Sequence, residues 1–272
     1  MTIYVFGHKS PDTDTIVSAI AAAYLLRARG FDAIAAAQGA PPPESRFVLD
    51  KFELPTPEPM QSVAGKDVAV VDTTEPSQLP SDMAEADVKF VFDHHNLGGL
   101  KTKAAAEIWA RPVGCTCTVL KEIFDFFRIE IPTDIAGAMM CAILSDTVLF
   151  KSPTTTEADK RAVDELEKKS GLFATDIGMD MLRVKSSIES DSARDLLNRD
   201  FKEFMPKGKL FGIGQVELVD IRMIDSKLAE IKSEMKALKA AKGYWGVLMM
   251  ITDIIRGGSI LVAFTDDDAK IE

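Results

Sequence analysis

Three short apolar segments early in the chain each end in acidic or imidazole side chains. Uninterrupted or nearly uninterrupted apolar runs are typical of strands that are buried on both faces of a parallel sheet. These runs lie within residues 2–6, 67–72 and 88–92. Because the carboxyl ends of parallel strands meet at one edge of a sheet, we expect the side chains that follow them to share a cleft. The pattern predicts an α/β fold with a site at that edge.

The loop after the first run has the sequence His-Lys-Ser-Pro-Asp-Thr-Asp, residues 8–14. It carries one imidazole and two carboxylates. Pro11 fixes its own φ and biases Ser10 towards an extended conformation, so we expect a stiff loop. Stiff loops at the carboxyl ends of strands are where open α/β folds build their sites.

All three histidines of the chain lie beside aspartates in these segments. Imidazole and carboxylate together suit Mn, Fe, Co or Zn. The candidate ligands are His8, Asp12, Asp14, Asp72, Asp93, His94, His95 and Asp146. A single structural zinc would not use so many carboxylates, whereas two metals about 3.5–4 Å apart with a shared carboxylate would. We therefore predict a two-metal hydrolase of phosphate esters or anhydrides, with Mn²⁺ or Co²⁺ resident and Mg²⁺ assisting.

The remaining chain reads as alternating helices and strands, with a polar, acidic stretch at residues 186–192. We place a domain boundary there and predict domains at residues 1–187 and 192–272. Helices are predicted at 16–29, 44–52, 114–127, 134–144, 156–170, 172–185 and 226–241, and further strands at 32–37, 209–218, 245–252 and 259–264. Thr156 and Asp159 form a capping-box pattern, and Gly30, Gly171 and Gly243 are expected to end helices.

The net charge and the cysteine content indicate which partners and which cellular compartment to expect. The net charge of −10 disfavours nucleic acid as a partner, because a non-specific binder normally shows a basic stripe. An odd count of three cysteines predicts reduced thiols in a cytoplasmic protein. Cys115 and Cys117 could be metal ligands, but a lone C-x-C pair more often packs in a core. No secretory signal or membrane-spanning run is evident, so we expect no membrane association.

Several of these motifs resemble those of the DHH phosphoesterase superfamily: residues 8–14, Asp93-His94-His95 and Ser145-Asp146-Thr147. The Pro-Asp-Thr-Asp form, residues 145–156 and Arg199-Asp200-Phe201-Lys202 are similar to the manganese-dependent (family II) inorganic pyrophosphatases. The resemblance extends from the first residues to about residue 264. It implies an N-terminal parallel-sheet DHH domain that carries both metals and a smaller α/β C-terminal domain of the DHHA2 type.

The resemblance also implies a role for each matched residue. His8 and Asp12 would hold one metal, and Asp72 would bridge it to a second one. The second metal would be held by Asp14, His94 and Asp146. A bridging hydroxide would attack pyrophosphate, which would arrive with Mg²⁺, and the protein would be a homodimer formed through its N-terminal domains.

Three further residues would act on the substrate or orient the site. His95 would contact the substrate and donate a proton, and Lys202 would bind phosphate oxygens. Asp93 would orient its histidine neighbours as an outer-sphere acid. Lys9 and Lys151 lie beside motif residues, and we expect both to be ordinary solvated lysines.

The chain departs from the family pattern in two places. It has Thr73-Thr74-Glu75 where the family usually has His-Asn-Glu, so we expect altered tuning of the metals without loss of a ligand. It also lacks the basic Ser-Arg-Lys-Lys-Gln motif that grips the substrate, which leaves the C-terminal domain incomplete by comparison with the family. We therefore expect normal metal binding but slow hydrolysis of pyrophosphate, because two cations that neutralise the transition state are absent.

Two rival functions remain open at this stage. One is another DHH enzyme, such as an exopolyphosphatase or a short-oligonucleotide phosphodiesterase, against which the Pro-Asp-Thr-Asp form and Lys202 argue. The other is a weakly active metal-binding interaction protein, which only the missing basic motif supports. A soluble α/β protein whose strands end in acids by chance is disfavoured, because the motifs agree at four places.

Overall fold

A computed structural model describes residues 1–266 of the chain. The chain divides into two compact units, Met1–Val184 and Lys185–Glu272, each with its own hydrophobic core. The predicted domain limits, 1–187 and 192–272, remain predictions. The expected effect of the missing basic motif concerns the end of the chain, where residues 267–272 lie outside the described part. No helix within residues 1–266 is long and apolar enough to cross a membrane.

The first unit contains a six-stranded sheet whose paired strands all run parallel. Alternate residues of its fourth strand enter different cores: Val68 and Val70 pack on one face, and Ala69 and Val71 on the other. Burial on both faces explains the continuous apolar run and confirms the predicted fold class. The strands are β1 (Ile3–Phe6), β2 (Ala33–Ala37), β3 (Glu58–Pro59), β4 (Asp67–Val71), β5 (Asp87–Asp93) and β6 (Glu107–Ala110).

Six helices complete the first unit, and the largest core cluster lies between them and the sheet. They are α1 (Thr13–Ala28), α2 (Pro43–Lys51), α3 (Thr116–Phe127), α4 (Thr133–Asp146), α5 (Glu157–Ser170) and α6 (Ala174–Lys185). The α1 helix begins three residues before its predicted start because Asp12 caps it, its side chain accepting the Thr15 N–H. The capping box of Thr156 and Asp159 is confirmed.

The strand order places two segments of the predicted site side by side. The sheet is ordered β3-β2-β1-β4-β5-β6, so the chain extends it from β1 in one direction and then from β4 in the other. Phe6 of β1 pairs with Val70 of β4, at the point where the direction reverses. Ligands of open α/β sheets bind at such a reversal, beyond the carboxyl ends of the strands. His8 and Asp72 follow these two strands.

The second unit contains a four-stranded mixed sheet in the order β10-β9-β8-β7. The β8–β9 pair is parallel, and the other two pairs are antiparallel. Ile231 and Met235, four residues apart on the helix predicted at 226–241, are both buried, so one face of this helix packs against the unit's core. The elements are α7 (Ala193–Asn198), β7 (Asp200–Phe204), β8 (Phe211–Leu218), α8 (Leu228–Lys242), β9 (Gly246–Asp253) and β10 (Gly258–Thr265).

The local conformation of Ser10 differs from the prediction. Its φ is 53°, in the left-handed region, whereas Pro11 was expected to bias it towards an extended form. The turn lies between the end of β1 and the Asp12 cap of α1. Tertiary hydrogen bonds hold this loop: the Lys9 N–H donates to the Gln78 carbonyl at 3.0 Å. Tertiary contacts therefore override the local preference of a residue before proline.

Candidate metal centre

The carboxylate of Asp72 lies between two histidines that come from different strand ends. His8 Nε2 is 3.4 Å from Asp72 Oδ2, and His94 Nε2 is 3.4 Å from Asp72 Oδ1. Asp72 is only 2% exposed, and its φ of 61° turns the chain sharply at the end of β4. Each oxygen of one carboxylate therefore faces a separate imidazole.

The potential ligands form two groups; Asp72 belongs to one of them and lies beside the other. His8, Asp12 and Asp72 form the first group, and Asp14, His94 and Asp146 form the second. Within each group the ligand atoms lie within 4.8 Å of one another. Asp12 and Asp14 occupy the start of α1, whereas Asp146 is the last residue of α4. All six side chains therefore meet at the edge of the sheet where the sequence predicted a cleft.

Backbone carbonyls orient two of the imidazoles. His8 Nδ1 is 2.7 Å from the Lys9 carbonyl oxygen, and His94 Nδ1 is 3.0 Å from that of Val113. When each Nδ1–H donates to its carbonyl, Nε2 is directed towards the carboxylates. A histidine that ligates a metal commonly has its other ring nitrogen held in this way.

Two threonine hydroxyls hold the Asp72 carboxylate in place, and the sequence analysis did not identify either of them. Thr15 Oγ1 donates to Asp72 Oδ2 at 2.6 Å, and Thr116 Oγ1 donates to Oδ1 at 3.1 Å. The Thr116 N–H also donates to Asp14 Oδ2 at 2.7 Å. Thr15 could have been found because it directly follows the motif at residues 8–14, in the first turn of the helix that Asp12 caps. Thr116 carries no local signal, because it approaches the site only when α3 packs beside α1.

The crowded carboxylates have perturbed acidities. Burial acts to raise the pKa of Asp72, but hydrogen bonds from two histidines and from Thr15 outweigh it and hold that pKa well below the ordinary value. Burial and the charge of Asp72 raise the pKa of Asp14 to about 6. Burial and the charge of Asp14 raise the pKa of Asp146 well above its usual range. The site concentrates negative charge that a cation would relieve.

The same negative charge acts on the histidines. Burial acts to lower the pKa of His8, but hydrogen bonds with Asp12 and Asp72 raise it to about 11. Burial likewise opposes a rise at His94, yet the hydrogen bond with Asp72 and the charge of Asp14 bring its pKa to about 9. The cluster therefore favours positive charge, either as protons on the imidazoles or as bound metal ions.

The donor set fits Mn²⁺ or a similar divalent ion. Each of the two groups combines carboxylate oxygens with an imidazole nitrogen, a mixture suited to manganese, iron or cobalt. Sulfur is also near: the Cys115 and Cys117 thiols lie within 4.8 Å of a carboxylate oxygen of Asp14. Burial raises the pKa of Cys117 to about 11 and that of Cys115 well above the usual thiol value. Both thiols are fully buried, and a raised pKa disfavours the thiolate form that ligates a metal, so we assign them to packing against Asp14.

His95 and Asp93 occupy different environments. Asp93 is buried, and its Oδ1 accepts the His95 N–H at 3.0 Å and lies 3.0 Å from His95 Nδ1. The His95 side chain is 53% exposed, and Nδ1 is also 3.5 Å from Asp72 Oδ1. Asp93 thus holds the Nδ1 edge of the His95 imidazole, while the exposed part of the ring is open to a small molecule.

A cavity of about 590 Å³ adjoins the cluster, and His8, Asp72 and His95 form part of its wall. Thr73 and Thr74 also line it, both buried. Thr74 Oγ1 accepts the Gly98 N–H at 2.7 Å and so anchors the loop after His95. These two threonines therefore shape the cavity and leave the candidate ligands intact.

The sequence analysis singles out three lysines, of which Lys9 and Lys151 lie in the first unit and Lys202 lies in the second; Lys151 is exposed, as expected. Lys9 lines the cavity, and its ammonium group donates to the Ser77 carbonyl at 3.1 Å. Lys9 is nevertheless exposed, as expected for a solvated lysine. Lys202 lies on β7 in the second unit, with its side chain 68% exposed and its Nζ 3.0 Å from Asp200 Oδ1. The predicted role of Lys202 remains a prediction.

Comparison with protein families matches both units of the chain. Residues 2–143 match the N-terminal domain of the DHH family, and residues 179–272 match the DHHA2 domain. The first match contains every candidate ligand except Asp146. The two matches follow the order that the motifs predicted.

Relatives in other organisms match nearly the whole chain. It is 39% identical to the manganese-dependent inorganic pyrophosphatase of Methanothrix thermoacetophila, over 96% of this chain and 84% of that protein. It is 36% identical to the enzyme of the same name from Bacillus subtilis, over 99% of this chain and 88% of that protein.

Solved structures agree with these relatives. A crystal structure from Methanococcus jannaschii, assigned to the family II inorganic pyrophosphatases, superposes with a TM-score of 0.73 at 38% identity. That match covers 100% of this chain and 91% of the other. An exopolyphosphatase-related protein from Bacteroides fragilis shares the fold, with a TM-score of 0.57 at 13% identity, over 92% of this chain and 75% of the other.

Proposed function

The chain belongs to the manganese-dependent inorganic pyrophosphatases of the DHH family, and on that basis we propose that it hydrolyses pyrophosphate with two metal ions held around Asp72. The products are two phosphates. The observation that carries the proposal is the placement of Asp72, whose two oxygens each face a different histidine at 3.4 Å. A carboxylate in that position can be shared between two ions, as a two-metal site requires.

Six side chains would hold the metals. His8 and Asp12 would bind one ion, Asp14, His94 and Asp146 would bind the other, and Asp72 would bind both. The grouping of their ligand atoms within 4.8 Å supports this assignment. Mn²⁺ is the ion that the relatives' names give; Co²⁺ has similar ligand preferences, and we propose that Mg²⁺ enters with the substrate.

When bound, the two ions would lower the pKa of a water molecule and neutralise charge on the phosphoryl oxygens. The protein's own residues supply orientation. The Lys9 and Val113 carbonyls keep Nε2 of His8 and His94 directed at the site, and Thr15 and Thr116 hold Asp72. Reacting groups that are held in place react faster than mobile ones, because the ordering entropy is lost before the reaction begins.

His95 and Lys202 would act on the substrate, and Asp93 would orient His95. Exposure of the His95 imidazole supports contact with pyrophosphate and donation of a proton to the leaving phosphate. Asp93 would act as a positioning residue for His95, through the 3.0 Å contact with Nδ1. Lys202 would bind phosphate oxygens, which its exposed ammonium group permits.

The proposal predicts that Asp72→Ala abolishes hydrolysis by removing the shared ligand. Phosphate release from pyrophosphate should fall more than about a hundredfold, beyond the range typical for loss of an outer-sphere partner. Bound Mn²⁺ per chain should fall as well. The matched control is Asp67→Ala at the other end of β4, which pairs with Lys89 away from the site and should retain activity. Wild-type protein that binds two Mn²⁺ yet releases no phosphate would contradict the proposal.

Substrate choice separates this function from its rivals. Pyrophosphate, tripolyphosphate and a dinucleotide should be compared under identical metal conditions. We expect pyrophosphate to be hydrolysed fastest, because the relatives over nearly the whole chain are pyrophosphatases. Preference for the dinucleotide or for tripolyphosphate would instead indicate another DHH phosphoesterase.

We propose that a second copy of the chain covers the outer edge of β6, which gives the homodimer. This strand is the last in the sheet order, and edge strands carry unpaired backbone groups. Ile108 is 54% exposed on it, and the Trp109 ring lies 5.3 Å from that of the exposed Phe126. An apolar edge of this kind favours pairing. We also propose a cytoplasmic location, which the three free, buried cysteines support.

Charge at this edge should dissociate the dimer. Ile108→Lys should shift the molar mass measured by light scattering from that of two chains to that of one, because a buried ammonium group is costly. Phe173→Lys is the matched control, since Phe173 is similarly exposed but lies between α5 and α6. Monomeric wild-type protein would contradict the proposed dimer.

A further inference from the structure

A buried acid outside the proposed ligand set contacts both helices that carry the second group of ligands. Glu44 lies in the first turn of α2 and is 5% exposed. It follows three consecutive prolines, which restrict the backbone leading into this helix. None of the roles proposed above involves Glu44.

The two oxygens of Glu44 accept hydrogen bonds from two different helices. Thr13 Oγ1 donates to Oε2 at 3.1 Å, and Ser145 Oγ donates to Oε1 at 3.0 Å. Thr13 immediately precedes Asp14 on α1, and Ser145 immediately precedes Asp146 on α4. We refer to these two hydrogen bonds as the Glu44 bridge.

The Glu44 bridge lies directly beside two closely spaced acids of the second group, Asp14 and Asp146. Asp14 and Asp146 approach each other closely enough to belong to one group of ligand atoms within 4.8 Å. A metal binds these carboxylates in their ionised form, in which their charges repel one another until a cation lies between them. Repulsion would separate the start of α1 from the end of α4, and a side chain bonded to both helices opposes that movement.

We propose that Glu44 is a positioning residue that sets the spacing of Asp14 and Asp146, and thereby the Mn²⁺ affinity of the second metal site. The inference rests on the two-metal function proposed above and adds a residue that lies outside its ligand set. The Glu44 bridge reaches the first site, built from His8 and Asp12, only through the start of α1, whereas it holds both helices that carry the second site.

The test is a Mn²⁺ titration without substrate, read from the electron paramagnetic resonance signal of free Mn²⁺. Asp12→Asn and Asp146→Asn identify which binding step belongs to which site. Glu44→Gln keeps the size of the side chain but offers one acceptor oxygen in place of two. We expect it to weaken the second-site step on the order of tenfold, the factor associated with a hydrogen bond to a charged group. The first-site step should stay within about twofold of wild type.

Two further variants test the bridge from its other ends. Thr13→Val and Ser145→Ala each remove one donor and should weaken the same step. Ser45→Ala is the matched control: it removes a buried hydroxyl from the same helix, 3.1 Å from Thr13 Oγ1, and leaves the Glu44 bridge in place. It should bind Mn²⁺ as wild type does.

The turnover rate at saturating Mn²⁺ distinguishes a positioning role of Glu44 from a general loss of protein stability in the variant. At saturating Mn²⁺ the maximal rate of Glu44→Gln should recover to within about threefold of wild type, because the site is then filled. Equal weakening of both metal steps, or no weakening of either, would overturn the proposal. Because the titration contains no pyrophosphate, an inactive wild-type protein would disprove the proposed activity without affecting this test.

Discussion

At the level of single residues, the candidate centre depends on side chains that serve two purposes. Asp12 caps α1 through Oδ1, while its Oδ2 lies 3.5 Å from His8 Nε2. His94 donates from one ring nitrogen to a carbonyl and presents the other to Asp72 and Asp146. Each of these side chains has one polar atom bonded to the backbone and another directed at the candidate metal site. They therefore have little freedom to reorganise, which favours metal binding.

Metal binding should release protons from the histidines. Their pKa values, about 11 for His8 and about 9 for His94, mean that both carry a proton at neutral pH until a metal replaces it. Protons compete with Mn²⁺ for the imidazoles below these pKa values. The Mn²⁺ affinity should therefore rise with pH, by about tenfold per pH unit for each proton released. Calorimetric titrations in buffers of different ionisation enthalpy measure the number released. Affinity that does not change with pH would contradict this prediction.

At the level of helices and strands, Asp159 connects the start of α5 to the start of α3. It is fully buried, and its oxygens accept from the Gly114 N–H, from Thr118 Oγ1 and from both the N–H and the hydroxyl of Thr156. Gly114 has no room for a Cβ, which would lie 2.7 Å from a Thr147 methyl group. This network fixes α3, whose first residue Thr116 contacts Asp72.

Removal of the Asp159 carboxylate should therefore destabilise the first unit. Asp159→Ala leaves several buried donors without a partner, and we expect the free energy of unfolding to fall by more than about 3 kcal/mol. Urea denaturation followed by circular dichroism measures the change. Asp164→Ala, an exposed position on the same helix, should change it by less than about 0.5 kcal/mol. Similar losses for both variants would argue against the network.

For the whole molecule, the important division is between two units with separate cores. All six proposed ligands lie between residues 8 and 146, within the first unit. Lys202 lies in the second unit, so the proposed chemistry needs both units although metal binding needs only one. This division predicts that added metal changes the stability of the first unit but not that of the second.

Calorimetry should reveal that difference as two melting transitions. Added Mn²⁺ should raise the melting temperature of the transition that belongs to the first unit, with about 2.7 kcal/mol of stabilisation for each site at a free concentration one hundred times its Kd. The transition of the second unit should stay in place. Asp159→Ala identifies the first transition by lowering it. A shift of both transitions by equal amounts would contradict this prediction.

Several elements were missed by the sequence analysis for identifiable reasons. The strands β3 and β6 are short, with two and four residues, and too brief for a periodic pattern to be recognised. The α7 helix begins in the polar stretch that was read only as a boundary, although Ser192 and Asp195 form a capping box there. That signal was present in the sequence and could have predicted the helix.

Sequence alone was sufficient to predict the parallel sheet and to name candidate ligands that the structure brings close together at one edge of it, because apolar runs and the polar residues that end them are local patterns. It could not identify Thr116 and the Val113 carbonyl as partners of those ligands, or Glu44 as a partner of the residues beside them. Each of them reaches the site only through packing between elements that are distant in the chain, as Glu44 does across about one hundred residues to Ser145. Local periodicity determines which face of an element is buried, whereas the contacts between buried faces are decided by the tertiary structure.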